Sequence, residues 1–110
     1  MGSTGPADAA IDTFIRNLAV EVGPHGVRVL GLWAAGIPDT LSPAKLAAVN
    51  SGLRLDDEVF QGLLTQLDSM RITCRSPRLA DIAATAAFLA SDQAAALTAT
   101  WINVTGMFPS

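Results

Sequence analysis

The segment Pro6–Trp33, PADAAIDTFIRNLAVEVGPHGVRVLGLW, decides the fold. Ile11, Phe14, Ile15, Leu18, Ala19 and Val22 recur at helical spacing and predict a single apolar stripe. Asp12, Thr13, Arg16, Asn17 and Glu21 fall on the other face, and Asp12 stands four residues before Arg16, a favourable helical pair. Pro6 suits the first helical turn, where its missing N–H would have had no partner. Gly23 is expected to take a left-handed cap, and Pro24 cannot continue the helix. Val27 to Trp33 is then almost wholly apolar, as a strand covered on both faces should be. Helix, tight turn and buried strand make one unit of an α/β sheet.

Beyond this segment, Ala34-Ala35-Gly36-Ile37-Pro38-Asp39-Thr40 reads as a loop by its Gly and Pro. Ser42-Pro43 predicts an N-cap and first helical residue, opening a short helix through Val49 that Asn50-Ser51-Gly52 ends. A second helix is expected near Asp56-Asp57-Glu58, whose charges suit a helix N-terminus. Val59, Phe60, Leu63, Leu64, Leu67 and Met70 form its apolar stripe, which Gly62 weakens. Ser76-Pro77 repeats the cap-and-start signal for a helix from Arg78 to Ala90, with Leu79, Ile82, Ala83, Ala86, Leu89 and Ala90 on one face. A strand is expected at Thr100 to Val104. Internal repeats, low-complexity linkers and second-domain boundaries are all missing, so residues 1–110 are expected to be one partial domain.

The run from Ala9 to Val29 closely resembles the short-chain dehydrogenase/reductase family. In that family it is the helix after the catalytic Tyr-x-x-x-Lys and the next sheet strand. Ala80 to Asp92 is similar to the family's last large helix, and Leu97 to Gly106 to its final strand, where the common Asp-Gly-Gly is Thr105-Gly106-Met107 here. The resemblance covers about residues 6–106. It implies a partial Rossmann-like fold: the C-terminal helix–strand–helices–strand part of a doubly wound parallel sheet. The two strands would be parallel neighbours, with the two long helices on opposite faces. Residues 41–70 would be a helical insertion at the position of the substrate lid; a plain helical hairpin over the sheet end is the alternative.

Of the 110 residues, half are hydrophobic and only 15% are charged. A mean hydropathy of +0.39 is high for a chain this short, because small domains leave much of their surface in water. Two readings stand: surface normally covered by further sequence or a partner subunit, or an Ala-rich soluble protein. The net charge is −3 and no basic cluster appears, which argues against nucleic-acid binding. The single Cys74 excludes an intramolecular disulfide framework and fits a reducing compartment. No apolar run is long enough to span a bilayer, and Met1 to Gly5 lacks the features of a secretory signal. Pro6 also breaks the myristoylation pattern. The expectation is a cytoplasmic protein.

The family transfers hydride between NAD or NADP and an alcohol or carbonyl carbon. A Tyr acts as acid/base, and a Lys four residues later lowers its pKa and holds the cofactor ribose. A phenol of pKa about 10 needs a nearby cation to work near neutrality. Counting back from Ala9-Ala10, the Lys position holds Asp8 and the Tyr position Thr4. The sequence contains no tyrosine, and its one lysine is Lys45. The resemblance therefore implies no catalytic residue in this chain, and the Gly-rich pyrophosphate turn has no counterpart either. It does carry over the loop after the first strand. Ile37 matches the residue whose backbone holds the nicotinamide carboxamide, and Thr40 lies near the next cofactor contact, displaced by one position. Pro38 has no N–H to donate.

No metal site is expected from one histidine, His25, and one cysteine. Cys74 is flanked by Arg71 and Arg75 but reads as a quiet thiol. Trp33 and Trp101 fall on predicted strands and are expected in the core. The chain is thus expected to be a truncated or degenerate member of the family that does not catalyse alone. The alternatives are a non-catalytic assembly module, forming a homo-oligomer or complementing another subunit of the family, and a fragment without function.

Overall fold

The computed structural model describes residues 4–49 and 56–107. Along the chain these form α1 (Thr4–Val22), β1 (Leu30–Trp33), α2 (Pro43–Val49), α3 (Asp57–Ser69), α4 (Leu79–Ala90) and β2 (Thr100–Asn103). This is the expected α/β order of helix, strand, helices and strand. The helix end expected at residues 50–52 lies outside the described residues. Two compact units divide the chain, one built on residues 1–33 and 83–103, the other on residues 34–82 and 104–109.

In the first unit β1 and β2 pair in parallel, from Leu30 opposite Thr100 to Trp33 opposite Asn103. The pairing reaches one residue further back, where the Ala99 N–H donates to the Val29 carbonyl at 2.8 Å. The Val29 N–H in turn donates to the Thr98 hydroxyl at 3.0 Å. Helix α1 packs on both strands through Ile15 and Ala19, which are buried, and Leu18 and Val22, which are half-buried. Ile11 and Phe14, expected on the buried stripe, are exposed, Phe14 to 62%. Two strands about 5 Å apart are narrower than an apolar stripe of 100° or more, so only its centre is covered. The same narrowness leaves every residue of β1 half-buried rather than enclosed on both faces.

The strand expected from Val27 starts at Leu30 instead, and Arg28 serves another purpose. Its Nη1 donates to the Leu89 carbonyl at 2.8 Å and its Nη2 to the Ser91 carbonyl at 3.2 Å. The last carbonyls of α4 lack partners within the helix, and a guanidinium both satisfies them and suits the negative end of the helix dipole. The turn before β1 also differs from expectation. Gly23–His25 is a turn of 3-10 helix, and the left-handed residue is Gly26, at φ +76°. Gly31 is required by packing: a Cβ there would stand 2.8 Å from Ile15 Cδ1 and 3.1 Å from Trp101 Cδ2.

The second unit is helical. Asp56 caps α3, its carboxylate accepting from the Val59 N–H at 2.8 Å. Ser42 caps α2 as expected, accepting from the Lys45 N–H at 3.2 Å. Phe60, Leu63, Leu64 and Leu67 are the half-buried face of α3, while Val59 and Met70 at the stripe's ends are exposed. Ser76-Pro77 does not start α4. The Ser76 hydroxyl is taken by Arg71, and the helix begins at Leu79. There the Asp81 carboxylate accepts from the Arg78 N–H at 2.8 Å, one half of a capping box, and the Asp39 carboxylate accepts from the Leu79 N–H at 2.8 Å. Among the described residues no helix is long and apolar enough to cross a membrane.

Candidate functional site

The loop after β1 carries both candidate cofactor residues and is built from its own hydrogen bonds. Pro38–Thr40 forms one turn of 3-10 helix. Its opening residue, Ile37, has its carbonyl occupied twice, by the Thr40 N–H at 3.0 Å and the Thr40 hydroxyl at 2.8 Å. The Lys45 ammonium donates to the Thr40 carbonyl at 3.3 Å. The Ile37 N–H has no hydrogen-bond partner among the described residues. Ile37 as a residue is half-buried. The structure thus places Ile37 and Thr40 in one turn, with the Thr40 hydroxyl proton used internally.

Arg71, which the sequence reading considered only as a neighbour of Cys74, anchors this loop. It is 2% exposed. Its Nη2 donates to the Ala35 carbonyl at 2.6 Å and the Gly36 carbonyl at 3.1 Å. Nη1 donates to the Leu67 carbonyl at 2.8 Å and the Ser76 hydroxyl at 2.7 Å, and Nε to the Thr105 carbonyl at 2.6 Å. Five acceptors thus meet the five N–H groups of a guanidinium. Burial pulls the Arg71 pKa down, and the nearby Asp68 carboxylate opposes that shift. Asp68 itself is held below the usual carboxylate range. Hydrogen bonds from the Ser76 hydroxyl and N–H are the main causes, the latter at 2.9 Å; partial desolvation works against them and the charge of Arg71 adds to them. An arginine between two apolar stripes carries no sequence signal of this role, because its acceptors are carbonyls contributed by distant segments.

In the first unit, Thr4 opens α1 and Asp8 stands one turn on, exposed. Asp8, Ala9, Asp12, Trp33 and Trp101 line a pocket of about 300 Å³. The two tryptophans, expected in the core, are its half-buried walls, and the Trp101 Nε1–H is buried without a partner. Asp12 forms the expected pair with Arg16 at 2.9 Å. The sequence contains no tyrosine, and its one lysine, Lys45, lies on α2. His25 and Cys74 are both exposed. Among the described residues no three His, Cys, Asp or Glu side chains gather as a metal site.

A family model described as enoyl-(acyl carrier protein) reductase matches residues 2–106. No curated protein matches the chain. Several solved structures do. The Bacillus cereus enoyl-acyl carrier protein reductase, solved with NADP+ and indole naphthyridinone, is 26% identical with a TM-score of 0.69 over 94% of this chain. The NADH-dependent enoyl-[acyl-carrier-protein] reductase of Aquifex aeolicus VF5 is 26% identical, with a TM-score of 0.68 over 94%. An oxidoreductase of the short-chain dehydrogenase/reductase family from Burkholderia thailandensis is 27% identical, with a TM-score of 0.70 over 92%. The chain spans 36%, 35% and 35% of these three proteins, little more than a third of their length.

Proposed function

We infer the function of this chain from its family, since it belongs to the short-chain dehydrogenase/reductases. We propose that it is the C-terminal, nicotinamide-side part of an NAD- or NADP-dependent oxidoreductase fold and does not carry out hydride transfer with its own residues. The observation that carries this reading is the N–H of the half-buried Ile37, which has no hydrogen-bond partner among the described residues, in the loop that follows β1. An amide donor in that position fits the carbonyl of a nicotinamide carboxamide, with Thr40 three residues on as a second contact. A bound nicotinamide would supply or accept the hydride. The chain's share of the work is to hold and orient the carboxamide end.

The acid/base end does not fit. Asp8 replaces the cation that would lower a phenol's pKa, and a carboxylate there raises it instead. Thr4 has an aliphatic hydroxyl that cannot be brought near neutrality as a phenol can. No proton-transfer step is therefore assigned to this chain.

A second reading rests on the exposed apolar side chains of the first unit. Ile11, Phe14, Val20 and Phe88 are all at least 45% exposed, which favours a module that assembles with a second copy or with another subunit of the family. One experiment separates the two: the native mass of the purified chain with and without NADH and NADPH. A defined oligomer that tightens with cofactor supports the nicotinamide site. A defined oligomer indifferent to cofactor supports the assembly module. A loose monomer or polydisperse aggregate overturns both.

A further inference from the structure

We propose that Arg71 is the positioning residue of the cofactor loop, fixing the peptide that carries the Ile37 N–H. This inference rests on the nicotinamide reading given above and names the side chain that makes it work. The Gly36 carbonyl and the Ile37 N–H belong to one peptide unit, and a trans peptide is planar with its C=O and N–H pointing in opposite directions. Arg71 Nη2 holds that carbonyl at 3.1 Å and the preceding one, of Ala35, at 2.6 Å. Anchoring two successive carbonyls from one side of the loop fixes the orientation of the plane, and the Ile37 N–H is thereby directed away from the guanidinium. A hydrogen bond from a cation to the carbonyl also polarises the peptide and makes its N–H a better donor.

The anchor is itself held. Nε and Nη1 tie Arg71 to the Thr105 carbonyl, the last turn of α3 at Leu67 and the Ser76 hydroxyl. The loop has room for the guanidinium because residue 36 is glycine: a Cβ there would lie 3.2 Å from Nη2. At residue 106 a Cβ would likewise lie 3.3 Å from Arg71 Cδ. A lysine cannot replace this arrangement, because its ammonium is a point donor without a planar fork.

The test compares Arg71→Lys and Gly36→Ala with Thr65→Ala, an exposed substitution on α3 outside the anchor. Two quantities are measured on the full chain: the 15N chemical shift of the Ile37 amide by NMR, and NADH affinity by fluorescence titration. Arg71→Lys is expected to move the Ile37 resonance, because the cation no longer polarises the Gly36–Ile37 peptide in the same way. Arg71→Lys and Gly36→Ala are both expected to weaken NADH binding about tenfold, of the order of one charge-assisted hydrogen bond. Amide exchange in β1 and β2 is expected to keep its wild-type rate, and Thr65→Ala to keep NADH affinity within about twofold. An Ile37 resonance unmoved in Arg71→Lys overturns the inference. So does a loss of NADH affinity no greater than that of Thr65→Ala. If the wild-type chain binds no NADH, the nicotinamide reading falls and takes the ligand contact with it. The Ile37 resonance then decides separately whether Arg71 holds the peptide.

Discussion

Placing a methyl group at Gly31 tests whether the contact between α1 and the sheet is as close as the structure has it. The Cβ of Gly31→Ala would lie 2.8 Å from Ile15 Cδ1 and 3.1 and 3.3 Å from two atoms of the Trp101 ring. Ile15 is 7% exposed, so its terminal methyl has little space to retreat into. Overpacking of this kind costs about 1–3 kcal/mol, and replacing a strand glycine by alanine returns about 0.5–1 kcal/mol. The midpoints of the two ranges leave a net loss of about 1 kcal/mol. Ile15→Val removes the clashing methyl and alone costs about 0.5–1.5 kcal/mol. In the double variant the new Cβ occupies the vacated space, so its cost should fall short of the sum of the single costs by at least about 0.5 kcal/mol. Urea unfolding followed by tryptophan fluorescence reads this directly, since Trp33 and Trp101 are the chain's two tryptophans. A Gly31→Ala protein as stable as wild type, or a double variant whose costs simply add, would refute the packing argument.

Two further perturbations probe the charged anchors. Arg28→Met keeps much of the side-chain volume but strips the donors from the Leu89 and Ser91 carbonyls. It should cost about 1–3 kcal/mol and speed amide exchange over the last turn of α4; unchanged exchange there would exclude the capping role. Asp68 has its pKa depressed in the folded chain, chiefly by Ser76, so its contribution to stability is present above the unfolded value of about 3.9 and lost as pH falls below it through the folded value. Ser76→Ala should therefore be more damaging at pH 7 than at pH 2. Equal damage at both pH values, measured by urea titration, would remove Asp68 from the network.

Hydrophobic period and cap chemistry placed α1, α2 and α3 and both strands, because those signals are local. Asp56 and Ser42 cap the helices they precede for the same reason. Ser76 looked identical in sequence and caps nothing, since its hydroxyl is claimed by a guanidinium. Arg28 similarly sat in an apolar run that read as strand, yet its partners are carbonyls more than 60 residues on. Burial was the harder inference. Periodicity states which residues share a face, but the width of what covers that face is a tertiary quantity, and a sheet of two strands leaves Ile11 and Phe14 in solvent.

The same distinction between local and distant partners bears on the proposed cofactor loop and on the start of α1. By resemblance the pair belongs to the start of α1, in the first unit, where Thr4 and Asp8 now stand. The loop and the five acceptors that hold its Arg71 anchor, from Ala35 to Thr105, belong to the second. Substitutions at residues 4 and 8 therefore remove no hydrogen bond that shapes the loop. Conversely, the loop requires no charge from α1: its own turn engages the Ile37 carbonyl, and Arg71 engages the two carbonyls before it. The proposed carboxamide-side donor thus depends on hydrogen bonds made within the second unit.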